Sequence, residues 1–401
     1  MANGGGSGDN ASAGFSSTTY EMKGAPSFEV QRKNLSPETK ILGTRTNATL
    51  CRTDVLLHKP PSKVARLVLS RATEKNLTNA DSAPRDSVGR WIMKMMSATT
   101  SQIATKRVEA RYSVPPTSVR KIEADGVQVF YRAAGDPSAR VVLLLHGFPS
   151  SSFMFRELIP RLADQYRVIA PDLPGFGFTE VPPKRNYKYS FDALALTIEA
   201  FTEALKIKSY ALYVFDYGAP TGFRLAMAHP ERVKAIISQN GNAYEEGLGD
   251  TWGPIRKYWA APTAENRDVI RKDILTLEGT RWQYTHGVAT PESVAPESYT
   301  LDMALMDRPG NKEIQLDLFL DYASNVKLYP KFQEYFRKSK PPLLAIWGKN
   351  DPFFVPAGAE AFRKDLPNAQ VKFLDTGHFA TETHVVAITA AMREFLDANG
   401  S

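Results

Sequence analysis

The sequence predicts an α/β protein: a mostly parallel sheet with helices on both faces, interrupted by a helical insertion. Three observations predict it. From residue 118 onward, continuous apolar runs of strand length alternate with amphipathic helical stretches, as expected of strands buried on both faces. One such run, "SYALYVFD", ends on a carboxylate and passes directly into "YGAPTGF". The alternation stops over 241–330, where only helical patterns stand out, and returns with "PPLLAIWGKND".

The first 115 residues have a different texture. They are rich in Gly, Ser, Thr, Asn, Lys and Arg and predict a mostly disordered basic extension, with helical pieces at 62–73 and 86–98. Over residues 1–120, 18 Lys and Arg face 9 Asp and Glu; the rest of the chain holds 32 against 34. The net charge of +7 thus belongs to the extension and says little about the substrate. The folded part shows no basic face with interleaved aromatics, so a nucleic-acid partner is not expected. A single cysteine, Cys51, excludes a disulfide framework and a Cys-based metal site. A cytoplasmic location is expected, with an organelle address in the basic extension as the alternative. Apolar runs such as "VVLLL" are far too short to span a bilayer.

The folded part is expected to divide into a first core segment at 116–240, a helical cap at 241–330 and a second core segment at 331–401. "VRKIEADGVQVFYRAAG" reads as a hairpin turning at Asp125-Gly126. "RVVLLLHGFP" is a buried strand, "SFMFRELIPRLADQ" an amphipathic helix and "YRVIAPDLPG" a strand with its loop. "SFDALALTIEAFTEAL" is a helix, "SYALYVFD" a strand, "GAPTGFRLAMAHP" a helix and "VKAIISQNG" a strand. The insertion carries helical stretches such as "RDVIRKDILTL" and "NKEIQLDLFLDYASNV". After it come the strand "PPLLAIWGKND", the helix "PAGAEAFRKDL", the strand "AQVKFLDTGH" and the helix "HVVAITAAMREFLDAN".

In an open parallel sheet, ligands bind beyond the carboxyl ends of the strands. Four strands end there in unusual residues: His146-Gly147-Phe148-Pro149, Asp216, Asp351, and Asp375 with His378. Asp216 alone reads equally as a turn residue, because Asp tolerates unusual backbone angles. Asp351 precedes a proline and reads alone as a turn former. Among the histidines, His58 lies in the extension, His146 shapes its loop, His229 ends a helix, His286 sits in the insertion and His384 near the last helix. Only His378 follows a strand in the loop expected to carry the base.

On these residues the chain resembles the α/β-hydrolase fold family, and within it the branch of epoxide hydrolases and haloalkane dehalogenases with an aspartate nucleophile. The resemblance covers about 118–398 and rests on HGFP (146–149), DLPGFG (172–177), DYGA (216–219), WGKND (347–351) and GH (377–378). It implies a mostly parallel eight-stranded sheet with a cap. Asp216 is then the nucleophile, Asp351 the acid that orients the base, and His378 the general base. The backbone N–H groups of Phe148 and Tyr217 form the oxyanion hole, the substrate is small and apolar, and no cofactor or metal takes part. An aspartate nucleophile, with an ordinary pKa of ~3.9, is already ionised at pH 7. It attacks a saturated carbon and forms an alkyl ester, which His378 then helps water to cleave.

The two branches differ in how they steady the leaving group. Epoxide hydrolases use two cap tyrosines; here Tyr322 is the first candidate, with Tyr258 or Tyr284 as the second. Dehalogenases use a Trp beside the nucleophile, where this chain has Tyr217, and one group has an Asn where this chain has Phe148. HGFP is the form common in epoxide hydrolases, and Pro149 is a candidate cis residue in that loop. Epoxide opening is therefore the leading expectation, a haloalkane or haloacid dehalogenase the alternative, and a non-catalytic ligand receptor a further one. Two departures mark the elbow: Val214 stands where the fold prefers a small residue, and Phe215 where a His is frequent.

Overall fold

The computed structural model describes residues 115–400 and Lys94; the extension and the helical pieces expected at 62–73 and 86–98 otherwise lie outside the described residues. The first two strands, β1 (Ser118–Ala124) and β2 (Val127–Ala134), pair antiparallel around Asp125 and Gly126. Both turn residues have positive φ, 54° and 73°, as a two-residue hairpin matched to strand twist demands.

Six further strands complete the sheet: β3 (Val141–Leu145), β4 (Arg167–Pro171), β5 (Tyr210–Phe215), β6 (Val233–Gln239), β7 (Leu343–Gly348) and β8 (Gln370–Leu374). Their order is β1-β2-β4-β3-β5-β6-β7-β8, with every pair from β4 to β8 parallel. All six residues of β5 are buried, because the strand lies inside the sheet and is covered on both faces. Side chains alternate along a strand, so the sheet has two cores. Leu143, Leu145, Leu212 and Val214 enter one, with the helices Phe191–Ala204 and Gly218–Ala228. Val142, Leu144, Tyr213 and Phe215 enter the other, with the helices Leu158–Leu162 and Val385–Ala398.

Two expected helices come out differently. "SFMFRELIPRLADQ" splits into a 3-10 turn, Ser152–Phe155, and a short helix, Leu158–Leu162. Pro160 has no N–H to give and its ring crowds the preceding turn, so one continuous helix is not available. The helix expected from "NKEIQLDLFLDYASNV" instead runs from Asn311 to Ser339, through Pro330 and across the 330/331 boundary. Phe332 and Phe336, fully buried against Phe223, hold the turns beyond the proline in place. Between β6 and β7 the chain forms five α-helices: Gly253–Ala260, Ala264–Asp273, Leu277–Thr285, Pro296–Met306 and Asn311–Ser339. Among the described residues no helix is long and apolar enough to cross a membrane.

Leu144 is fully buried in the second core. Leu144→Ala is expected to cost about 2–5 kcal/mol through lost burial and the cavity it leaves. Urea unfolding checks this: the midpoint falls while the slope stays constant.

Candidate active site

The strand β5 ends at Phe215, and the next residue, Asp216, turns into the helix Gly218–Ala228 with φ of 47°. That left-handed conformation costs on the order of 1–3 kcal/mol for a residue with a side chain, least for Asp and Asn. The turn brings Asp216 against the loop after β3, and only small residues fit between them. A Cβ on Gly147 would lie 2.2 Å from Asp216 Oδ1, and one on Gly218 would lie 2.3 Å from the Leu145 carbonyl oxygen. Val214, the large residue at a position where a small one was expected, is accommodated opposite Gly222, whose missing Cβ would sit 2.6 Å from Val214 Cγ1.

The Phe148 N–H donates to Asp216 Oδ1 at 2.5 Å, and the Tyr217 N–H also stabilises the Asp216 charge. The loop bearing Phe148 is held by His146, whose Nε2 accepts the Leu173 N–H at 2.9 Å. That leaves His146 Nδ1 to donate to the Gly147 carbonyl at 3.0 Å, which assigns the tautomer. The Phe148–Pro149 peptide is cis.

His378 follows β8 and lies buried beside β7. Its Nδ1 meets Asp351 Oδ2 at 2.7 Å, which leaves Nε2 for other partners. Asp351 is fixed in turn: Oδ2 accepts from Asn240 Nδ2 at 2.6 Å, and Oδ1 from the Phe353 N–H at 2.8 Å. Phe215 packs its ring 4.6 Å from the His378 ring, centroid to centroid. Asp375, the other acid near His378, is exposed and pairs with Lys349 and Asn350 instead.

Asp216, His378, Phe148 and Tyr217 line one small cavity together with cap residues Trp252, Ile255, Gln283 and Phe319. Burial pushes the Asp216 carboxyl up to about 6, partly opposed by His378 and the two N–H donors. It therefore remains ionised above that pH. At His378, burial opposes the charged ring, but Asp351 and, more weakly, Asp216 outweigh it and raise its pKa. The arrangement offers a buried carboxylate with backbone donors on one oxygen, beside a histidine oriented by a second carboxylate.

The chain belongs to the α/β-hydrolase fold family. The family model for the alpha/beta hydrolase fold matches residues 140–385. An uncharacterized hydrolase of Saccharomyces cerevisiae is 55% identical over 269 residues, which cover 66% of this chain and 91% of that protein. Two solved structures share the α/β-hydrolase architecture at low identity. The epoxide hydrolase CorEH aligns with a TM-score of 0.59 at 20% identity, over 71% of this chain and 99% of its own. The haloalkane dehalogenase DbeA of Bradyrhizobium elkani aligns with a TM-score of 0.59 at 22% identity, again over 71% and 99%.

The structure of this α/β-hydrolase does not bring all the expected tyrosines to the cavity. Tyr284 is buried with its ring stacked 3.7 Å from that of Phe379, and its hydroxyl donates to Asp302 at 2.5 Å. The Tyr258 hydroxyl accepts from Arg267 at 2.8 Å. Tyr322 packs against Tyr217 and Trp252, but its hydroxyl meets that of Tyr329 at 3.4 Å. Sequence reasoning missed two residues. Asn240, which holds Asp351, had a signal: a polar residue at the carboxyl end of β6. Gln283 had none, since nothing in a cap helix marks which side chain turns inward. Among the described residues, no cluster of His, Cys, Asp or Glu is arranged to hold a metal ion.

The raised pKa of Asp216 has a stability consequence. The carboxyl titrates near 6 when folded and near its ordinary ~3.9 when unfolded, so its charge destabilises the fold above pH 6. That destabilisation fades as pH falls from about 6 to 4. Asp216→Asn keeps an oxygen for the Phe148 N–H and tolerates the left-handed angle. It is expected to be more stable than the parent at pH 8, by up to about 3 kcal/mol. Urea unfolding at pH 8 and pH 5 checks this: the gap should narrow at pH 5.

Proposed function

We propose that this protein is a hydrolase that opens epoxides to diols through a covalent ester on Asp216. The observation that carries the reading is the carboxylate at the elbow, where a serine would need deprotonation and an aspartate does not. Oδ1 is engaged by the Phe148 N–H, so Oδ2 is the attacking oxygen. It bonds to a ring carbon, the carbon–oxygen bond breaks, and its electron pair stays on the departing oxygen. His378 Nε2 then takes a proton from water, and the hydroxide attacks the carboxyl carbon of Asp216. The oxyanion that forms is held by the Phe148 and Tyr217 N–H groups. Asp351 keeps His378 in the tautomer that presents Nε2 and stabilises its charged form. An ordered acid–base pair of this kind supports turnover over simple ligand binding.

The structural relatives carry the names of both branches, so the leaving group is argued from this chain's own residues. The dehalogenase branch steadies its halide with tryptophan N–H groups; here the residue beside the nucleophile candidate is Tyr217, and the cap tryptophans Trp252 and Trp259 have theirs engaged. Trp252 Nε1 donates to the Phe353 carbonyl at 2.9 Å and Trp259 Nε1 to the Phe319 carbonyl at 2.7 Å. Trp282 is exposed on the cap surface. This favours an oxygen leaving group over a halide.

A single turnover in heavy-oxygen water tests the mechanism, with a panel of terminal epoxides and haloalkanes. Heavy oxygen is expected in the peptide that contains Asp216, while the first product molecule takes its new oxygen from the protein. Product without label in that peptide overturns the covalent route, and halide release without diol formation overturns the epoxide reading. The two steps should also separate by mutation and by pH. His378→Gln is expected to slow ester cleavage by about 10²–10⁴-fold and to let the ester accumulate. In rapid-quench measurements, ester formation is expected to fall off below pH 6 as Asp216 takes up its proton.

A further inference from the structure

The proposed ring opening leaves a negative oxygen in a buried site, and none of the three expected cap tyrosines lines the cavity. Two other donors remain among the residues that line the cavity. Gln283 is 96% buried, from its 4% exposure, and its Nε2 has no hydrogen-bond partner among the described residues. Tyr217 is 99% buried, from its 1% exposure, and its hydroxyl likewise has none. Buried polar groups are nearly always paired, and leaving one unpaired is costly. Two such groups around one cavity, beside the attacking carboxylate, are the feature a polar substrate atom would satisfy.

We propose that the Gln283 amide N–H and the Tyr217 hydroxyl are the donors that receive the departing oxygen of a small epoxide. The proposal rests on the covalent Asp216 reading and names the groups that complete it. As Oδ2 of Asp216 bonds to carbon, the ring carbon–oxygen bond breaks and its pair collects on oxygen. Gln283 donates a hydrogen bond to that oxygen and keeps its proton. Tyr217 transfers its proton and becomes a phenolate. In the second step His378 takes one proton from water and returns it to Tyr217. The remaining hydroxide adds to the Asp216 carbon, and its hydrogen leaves on the released diol oxygen. Water and epoxide thus become diol, and every side chain returns to its starting state. Burial and the charge of Asp216 raise the Tyr217 pKa, so the hydroxyl starts protonated.

The backbone positions both donors independently of the substrate. Tyr217 follows the nucleophile, and its ring packs 4.9 Å from Phe191 and 6.0 Å from Phe319. Gln283 precedes Tyr284, which ties the same helix turn to Phe379 and Asp302. Gln283 also stands, with Ile274 and Phe353, between the inner cavity and an outer cleft of about 490 Å³. The inner cavity is only about 20 Å³, so it has room for no more than the ring of a terminal epoxide, whose substituent would lie past Gln283 towards the cleft.

Single-turnover kinetics with styrene oxide test the proposal, comparing the parent with Tyr217→Phe and Gln283→Met. Ester formation on Asp216 and its hydrolysis are followed separately by rapid quench and peptide mass spectrometry. Each variant is expected to form the ester roughly 10²-fold more slowly, the cost of one preorganised donor. Hydrolysis is expected to stay within about threefold in Gln283→Met, because Gln283 takes no part in that step; Tyr217→Phe also removes the group to which His378 returns its proton, so it is read on ester formation alone. Ester formation at the parent rate in either variant overturns the assignment. If the parent itself forms no ester, the covalent reading fails, a result distinct from failure of the donors. Should Tyr217→Phe not fold, as judged by its melting curve, Gln283→Met carries the test alone.

Discussion

The site depends on one backbone conformation, the left-handed turn at Asp216. It carries the chain from the end of a fully buried strand into a helix and sets the Asp216 carboxyl at the cavity, still buried, without moving the strand itself. The turn is unfavourable in isolation and persists because its surroundings leave no alternative. β5 is clamped between β3 and β6 and covered by a core on each face. Gly147 and Gly218 clear the space in which the carboxyl approaches the Phe148 N–H. Even the bulky Val214 is absorbed by an opposing Gly222. The chain thus keeps the tight elbow with a different distribution of volume, the small residue standing on the helix and not on the strand.

The same turn sets the electrostatics. Burial raises the Asp216 pKa to about 6 while leaving the carboxylate ionised at neutral pH, which in the proposed mechanism suits it to attack. Its charge also helps raise the pKa of His378. Ester formation removes that charge, so in the ester one of the influences favouring charged His378 is gone. The histidine is thereby most readily neutral at the stage where the proposed mechanism needs it as a base. Asp351, bonded to Asn240 and two backbone N–H groups, is held as an acceptor throughout.

Much of this was legible in the sequence, for definite physical reasons. Strands buried on both faces write themselves as apolar runs, and Asp125-Gly126 can only be read as a tight turn. The elements that came out differently are those where two signals compete. Pro160 outweighed an amphipathic pattern and broke a helix, whereas Pro330 did not, because Phe332 and Phe336 beyond it are anchored in the core. The triad candidates were legible because strand ends converge at one edge of a parallel sheet. The cap was not, because a tyrosine's position along a helix does not say what its hydroxyl meets.

Tyr258 and Tyr284 show why. Both are buried, and a buried tyrosine hydroxyl takes whatever partner the cap supplies, here Arg267 and Asp302. Tyr284 in particular is a strut. Its ring lies flat on Phe379, the neighbour of His378, and its hydroxyl joins Asp302 near the Arg156–Glu382 ion pair. Ser298 on the next cap helix donates to that same Glu382. The cap is therefore fastened to the loop that carries His378, and the residue beside the strut, Gln283, inherits a fixed place over the cavity. Its unpaired amide follows from that placement: the helix turn is positioned by Tyr284, and no described residue lies within hydrogen-bonding reach of the amide nitrogen.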